Sequence, residues 1–206
     1  MHNHRLFKYL IILSCSFYSH ILLAQAATDL NSANVAIHIA KTHYHHPVRL
    51  MHYFRDVWHL KGPMAEKVSL NVLKKYFADA QVCDNGHDAN IVLQLEPRMF
   101  YNAQFRVFYS DITAKVFINS TPLPDVNAPI LTIKQQAQQS GDLMIQPDFS
   151  MEKAYTKAVE KIMSKLQTDQ AFLNALHQAK QNSTINNDSK ALCAALDDLP
   201  AQKIYF

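Results

Sequence analysis

Imidazole is the chemistry this chain concentrates in one place. Of eleven histidines, six fall between residues 38 and 59: His38, His43, His45, His46, His52 and His59. Neutral imidazole suits zinc, copper or nickel, and it titrates near neutral pH. In an extended segment His43 and His45 project to one side and His46 to the other. These three are the candidate metal ligands. Against a metal site, Asp56 is the lone carboxylate of that stretch and no cysteine lies nearby. Neither a His-Glu-x-x-His helix nor a Cys-x-x-Cys pair occurs. A closed site also needs each ligand fixed by a further hydrogen bond. The plainer reading is a solvent-facing set, with His52 packed against the core.

Other chemistries find less support. Hydrolysis by an activated serine would show a Gly-x-Ser-x-Gly elbow, and there is none. The glycines Gly62, Gly86 and Gly141 stand far apart, whereas a phosphate-cradling loop needs several together. The expectation is a protein without a cofactor and without enzymatic activity. A denser signal is aromatic: Phe100, Tyr101, Phe105, Phe108 and Tyr109 crowd one hairpin, with Arg98 and Arg106 at its borders. Such rings serve either as core, with tyrosine hydroxyls left wet, or as a contact patch for a partner subunit or lipid. The loop 119–129, with three prolines, is a second candidate surface.

The first 26 residues read as a cleavable export signal. Arg5 and Lys8 form a basic start, Tyr9 to Leu23 is mostly apolar, and Ala24-Gln25-Ala26 offers the small residues a signal peptidase reads. A membrane anchor would need an apolar run of about 20 residues. Within the same segment, Ile12-Leu13-Ser14-Cys15 loosely matches a lipobox, so lipidation at Cys15 is a variant of the export reading. Removing the signal takes two of the 20 basic residues and none of the 17 acidic ones. A balance of 18 against 17 argues against a nucleic-acid binder, which needs a clustered positive surface. Beyond the signal no segment is long and apolar enough to span a membrane. In an oxidising compartment the remaining cysteines, Cys83 and Cys193, pair as a disulfide. Two separate thiols are the alternative.

These residues must be positioned by an α+β fold. Val35 to Ala40 alternates as a strand, the segment 42–47 breaks the pattern, and Val48 to Trp58 reads as a second strand. Gly62-Pro63 opens a helix running to about Ala80, with Met64, Val68, Val72 and Tyr76 on one stripe. A turn at 84–88 leads to a strand from Ile91 to about Pro97. After a connection at 101–104, Phe105 to Ile118 is a long strand whose apolar phase shifts near Ser110-Asp111, which a bulge would correct. A strand over 130–137 follows. Ser150 caps a helix from Met151, and Thr168-Asp169 restarts a helical piece through Leu176. Residues 178–190 are polar enough to be disordered, and 191–199 form a brief terminal helix. The expected architecture is a mainly antiparallel sheet of four to five strands with two main helices on one face. Residues 27–176 form one domain and 177–206 a polar tail.

This order, strand-helix-three strands-helix, resembles the YajG-type lipoproteins, the curli-secretion lipoprotein CsgG, and accessory lipoproteins of lipopolysaccharide and lipid transport. The stretch is Val48 to Leu176. It is carried by Phe54-Arg55-Asp56 leading to Gly62-Pro63, by Asp88 to Leu93, and by the helical run from Ala154. The resemblance implies a non-catalytic part of a bacterial envelope assembly, often oligomeric. The expected role is a periplasmic accessory protein, at or near the outer membrane, that binds a protein or lipid partner or its own copies. A periplasmic metal-binding protein using His43, His45 and His46 is the alternative.

Overall fold

The computed structural model describes residues 30–83, 88–182, 184–186 and 188–199. The expected export signal and residues 84–87 of the turn expected over 84–88 lie outside these residues. The fold is α+β. Its elements are β1 (Asn34–His38), α1 (Lys41–Tyr44), β2 (Pro47–Leu50), β3 (Val57–Leu60), α2 (Lys61–Leu73), β4 (Asp79–Val82), β5 (Ile91–Asn102), β6 (Val107–Ile118), β7 (Leu131–Ser140), α3 (Pro147–Leu166), α4 (Gln170–Gln181) and α5 (Lys190–Asp197).

The main sheet has five strands in the order β4-β1-β5-β6-β7, and β2 with β3 forms a separate hairpin. β1 runs parallel to both of its neighbours. β5, β6 and β7 form an antiparallel meander. Period-two alternation sends Val35 and Ile37, Ile91 and Leu93, and Ile112, Ala114 and Val116 to one face. There they meet Ala65, Val68 and Val72 of α2 and Tyr155, Ala158, Val159 and Ile162 of α3 in the principal core. The intervening residues Ala36, Val92 and Phe117 face the other way and are covered by Leu192 and Leu196 of α5. The two main helices therefore share one face as expected, and α5 occupies the second. Cys83 and Cys193 are joined, with Cα atoms 5.7 Å apart and a separation of 110 positions in the chain. The bridge ties α5 to the end of β4.

Several local expectations are corrected. The stretch from Val48 to Trp58 is not one strand but a hairpin, with Arg49 paired to Trp58 across it. The helix α2 ends at Leu73, because Asp79–Val82 leaves to pair with β1. The strand β5 passes through Pro97. β1 pairs only as far as Gln94, so one flank of β5 beyond it carries no ladder for a missing N–H to break. No bulge interrupts β6, whose register with β5 is continuous from Val107 to Ile118. Ser110 simply belongs to the core face, buried, with its hydroxyl donating to the Ala154 carbonyl at 2.9 Å. The helix α3 starts earlier than Ser150, with Pro147 in its first turn. Asp169 caps α4, accepting from the Phe172 N–H at 2.8 Å.

The polar segment after Leu176 is ordered in its described part. α4 continues to Gln181, and Ile185 leans on the core. Thr121 N–H donates to Thr184 O, and Asn186 N–H to Asn119 O. The fully buried Asn119 places its side-chain amide nitrogen within 3.1 Å of the carbonyls of Ala89, Asn186 and Asp188. At the far edge of the sheet, Lys161 and Lys157 of α3 donate to the backbone carbonyls of Gln136 and Gln138 in β7, at 2.8 and 3.3 Å.

Candidate docking surface

The histidines separate rather than converge. His43 lies in the helical turn α1, with His45 just after its end and His46 leading into β2, so the alternation of an extended chain does not apply there. His43 is buried, and neither ring nitrogen has a hydrogen-bond partner. Burial, then Lys61 and Arg98, holds its pKa below the ordinary histidine value. His45 is exposed and sits edge-on to Tyr44 at 5.1 Å. Among the described residues, no three His, Cys, Asp or Glu side chains are grouped to hold a metal ion. The other buried histidines are His38, which shares a hydrogen bond of 3.0 Å with Asp197, and His59. His52, expected in the core, is half-buried among the rings of Tyr53, Phe54 and Tyr101. In β3 the inward positions are Val57 and His59, which is why His59 is the one that enters the core.

The aromatic hairpin divides into core and surface by strand parity. Phe108 shares the core face with Ser110 and Ile112 and is fully buried, which removes it from the candidate contact residues. Tyr101 is half-buried and packs on Phe108 with ring centroids 4.6 Å apart. Its hydroxyl accepts from the Leu143 N–H at 3.3 Å. Tyr101 is thus a bracket between the hairpin and the loop 141–146. Phe100 points to the opposite face, exposed, and stacks on its cross-strand partner Tyr109 at 4.7 Å. Phe105 lies in the turn 103–106, 66 % exposed.

Two further segments bring apolar side chains to the same end of the sheet. One is the tip of the β2–β3 hairpin, where Met51, Tyr53 and Phe54 are 61, 75 and 85 % exposed. The inner face of this hairpin is held by Leu50, by Val48 and Val57 against the core, and by His59 beside Tyr155. Its outer face presents Trp58 and Leu60, both exposed. The other is the stretch from Met144 to Phe149, which exposes Met144, Ile145 and Phe149. The three segments touch. His52 contacts Tyr101, Tyr101 bonds Leu143, and Arg106 pairs with Asp142 at 3.6 Å while its carbonyl accepts from Gly141 N–H. Arg106 has a φ of 52°, a left-handed turn conformation that lets the hairpin reverse here.

Ten of the twelve large exposed apolar residues in the described chain lie on the two hairpins and the stretch 144–149. Scattered single exposures need no explanation, but a cluster of this extent makes these segments the candidate docking surface. The other two, Leu123 and Ile130, belong to the proline-rich loop. That loop follows Ile118, at the opposite end of β6, about 37 Å away at the usual rise of a strand. The two surfaces expected from the sequence are therefore at opposite poles. Among them, the hairpin tip of Met51, Tyr53 and Phe54 was hidden, since a single strand over 48–58 leaves no tip to protrude. The adjacent Met-His-Tyr-Phe-Arg-Asp run, with no alternation of its own, was the available signal for a turn.

Arg49 pairs with Asp56 at 2.6 Å across the tip. Lys153 lies over the Phe149 ring at 5.5 Å. Arg55 and Arg98 are exposed. Further back, Lys61 is almost fully buried at the start of α2, and burial together with Arg98 lowers its pKa.

No family model matches the chain and no curated protein matches it, and the resemblance to YajG-type and CsgG-type lipoproteins has no counterpart there. Among solved structures, the chain is similar to a Xanthomonas campestris protein described as DUF330. The TM-score is 0.45 and the identity 12 %, over 74 % of this chain and 87 % of that one. It is also similar to a dodecameric PelC variant from Paraburkholderia phytofirmans, with a TM-score of 0.41 and 17 % identity over 68 % of this chain and 89 % of that one. Both likenesses are too slight to bear on function.

Proposed function

We propose that this protein is a non-enzymatic accessory protein exported to a bacterial envelope, and that it works by docking through the aromatic end of its sheet. One observation carries the reading. Met51, Tyr53, Phe54, Trp58, Phe105 and Ile145 are each more than half exposed, and they come from three separate segments braced against one another. Leaving so much apolar surface in water is unfavourable, at about 25 cal/mol per Å². A contact partner would recover it. The cystine between Cys83 and Cys193 suits an oxidising compartment.

Sedimentation velocity over a concentration series, together with co-fractionation from a membrane extract, tests this. The expected result is association that weakens in the Phe54→Ser/Phe100→Ser variant. A strictly monomeric chain that fractionates identically in both forms, bound to nothing, would overturn the proposal.

A further inference from the structure

We infer that the docking partner of this end is a lipid bilayer surface carrying anionic headgroups. The inference rests on the docking reading above and names its partner class. Three features of the end point the same way. First, its apolar side chains are carried on projecting turns, at 51–56, 103–106 and 141–149, rather than along a groove. Two cavities, of about 190 and 300 Å³, are lined elsewhere, one beside His43, Gln94 and Asp197 and the other beside Ile118 and Thr184. These turns supply anchors rather than a recess for a partner's own. A fluid bilayer needs only points that enter it.

Second, the residues are those that partition to a membrane interface. Tyr53 and Trp58 pair an apolar ring with a polar atom, the combination enriched at headgroup depth, while Phe54, Phe105 and Ile145 supply apolar area. Third, the charge is complementary. Arg49, Arg55, Arg98, Arg106, Lys134 and Lys153 stand at or beside this end against Asp56, Asp111, Asp142 and Asp148. Arg49 and Arg106 are neutralised by Asp56 and Asp142. Arg55 and Arg98 are exposed, and Asp111, across the ladder from Arg98, is paired with Lys134 instead, and Lys153 spans Phe149. Long cationic side chains beside aromatic rings reach headgroup phosphates while their stems lie on the acyl boundary.

The chain contains a single tryptophan, Trp58, and it lies on this surface. Its emission therefore reports the contact directly. The full chain is mixed with phosphatidylcholine vesicles, and with vesicles in which about a third of the lipid is phosphatidylglycerol. Flotation and Trp58 emission are recorded, with brominated lipid as quencher. The expected result is a blue shift, quenching by brominated acyl chains, and flotation favoured by the anionic lipid. Phe54→Ser/Phe105→Ser should weaken vesicle binding at least about tenfold. Arg55→Glu/Arg98→Glu should remove the preference for anionic vesicles. Protein that floats while Trp58 emission stays unshifted and unquenched is held by some other part, and that overturns the inference. No flotation at all overturns it as well. In either case, association in lipid-free sedimentation that still falls with Phe54→Ser/Phe100→Ser leaves the docking reading standing. Loss of both would remove the two together.

Discussion

His59 should make this protein acid-sensitive in a way that one substitution cures. The side chain is 6 % exposed, and burial lowers its pKa from 6.5 to about 4, with Asp148 opposing the shift only in part. Its ring nitrogen Nε2 has no hydrogen-bond partner, and its ring faces that of Tyr155 at 6.1 Å. Above pH 6.5 the imidazole is neutral in the folded and unfolded chain alike, so it adds no pH dependence. Between 6.5 and about 4 the unfolded chain binds a proton that the folded chain refuses, and stability falls as the pH falls. Each pH unit in that window costs about 1.4 kcal/mol, giving a total of about 3 kcal/mol by pH 4. The assay is urea unfolding by circular dichroism at intervals from pH 7 to pH 4, for the wild type and for His59→Phe. His43 is also held low by burial, and the carboxylates titrate in the same range, but both are common to the two proteins and cancel in the difference. The wild-type curve should drop below the variant's by about 3 kcal/mol across the window. Parallel curves would mean that His59 is protonated in the folded state, and the argument from its burial would be wrong.

Three other outcomes follow from contacts described above. Replacing Cys193 by Ser opens a closure of 110 residues and should cost about 4 to 5 kcal/mol in the chain-entropy account, read from denaturation midpoints with and without reductant. Asn119→Leu strands the carbonyls of Ala89, Asn186 and Asp188. It should cost about 2 to 3 kcal/mol and speed hydrogen exchange of the amides around 184–188. Gly62→Ala would drive a Cβ into the backbone of Tyr44, and a melting curve should show a loss of about 1 to 3 kcal/mol.

The pattern of side chains disclosed those parts of the fold that depend on local periodicity. The stripe through Val68 and Val72 placed α2, the alternation about Ile91 and Leu93 placed β5, and the oxidising-compartment argument paired Cys83 with Cys193. What stayed hidden depends on neighbours distant in sequence. Asp79–Val82 looks like a helix end until β1 is there to pair with it. Pro97 looks like a strand end until one sees that β1 has already stopped at Gln94. Ser110 looks like a phase error until the Ala154 carbonyl arrives to accept its proton. The polar run after Leu176 has the composition of a disordered tail, yet its backbone is stitched to Asn119 and Thr121. The site was half legible for the same reason. Phe100 and Phe105, singled out for their crowding, are exposed. Phe108 needed strand parity to be assigned to the core, and the protrusion of Tyr53 and Phe54 needed a turn that no glycine, proline or asparagine announces.

The two lysines laid over β7 have a consequence for how copies of this molecule can meet. A border strand normally invites a neighbour to extend the ladder. Here an incoming backbone would first have to dislodge Lys161 from Gln136 and Lys157 from Gln138, and then lie beside two ammonium groups that it cannot neutralise. Lateral growth into a ribbon of subunits is thereby discouraged on that flank.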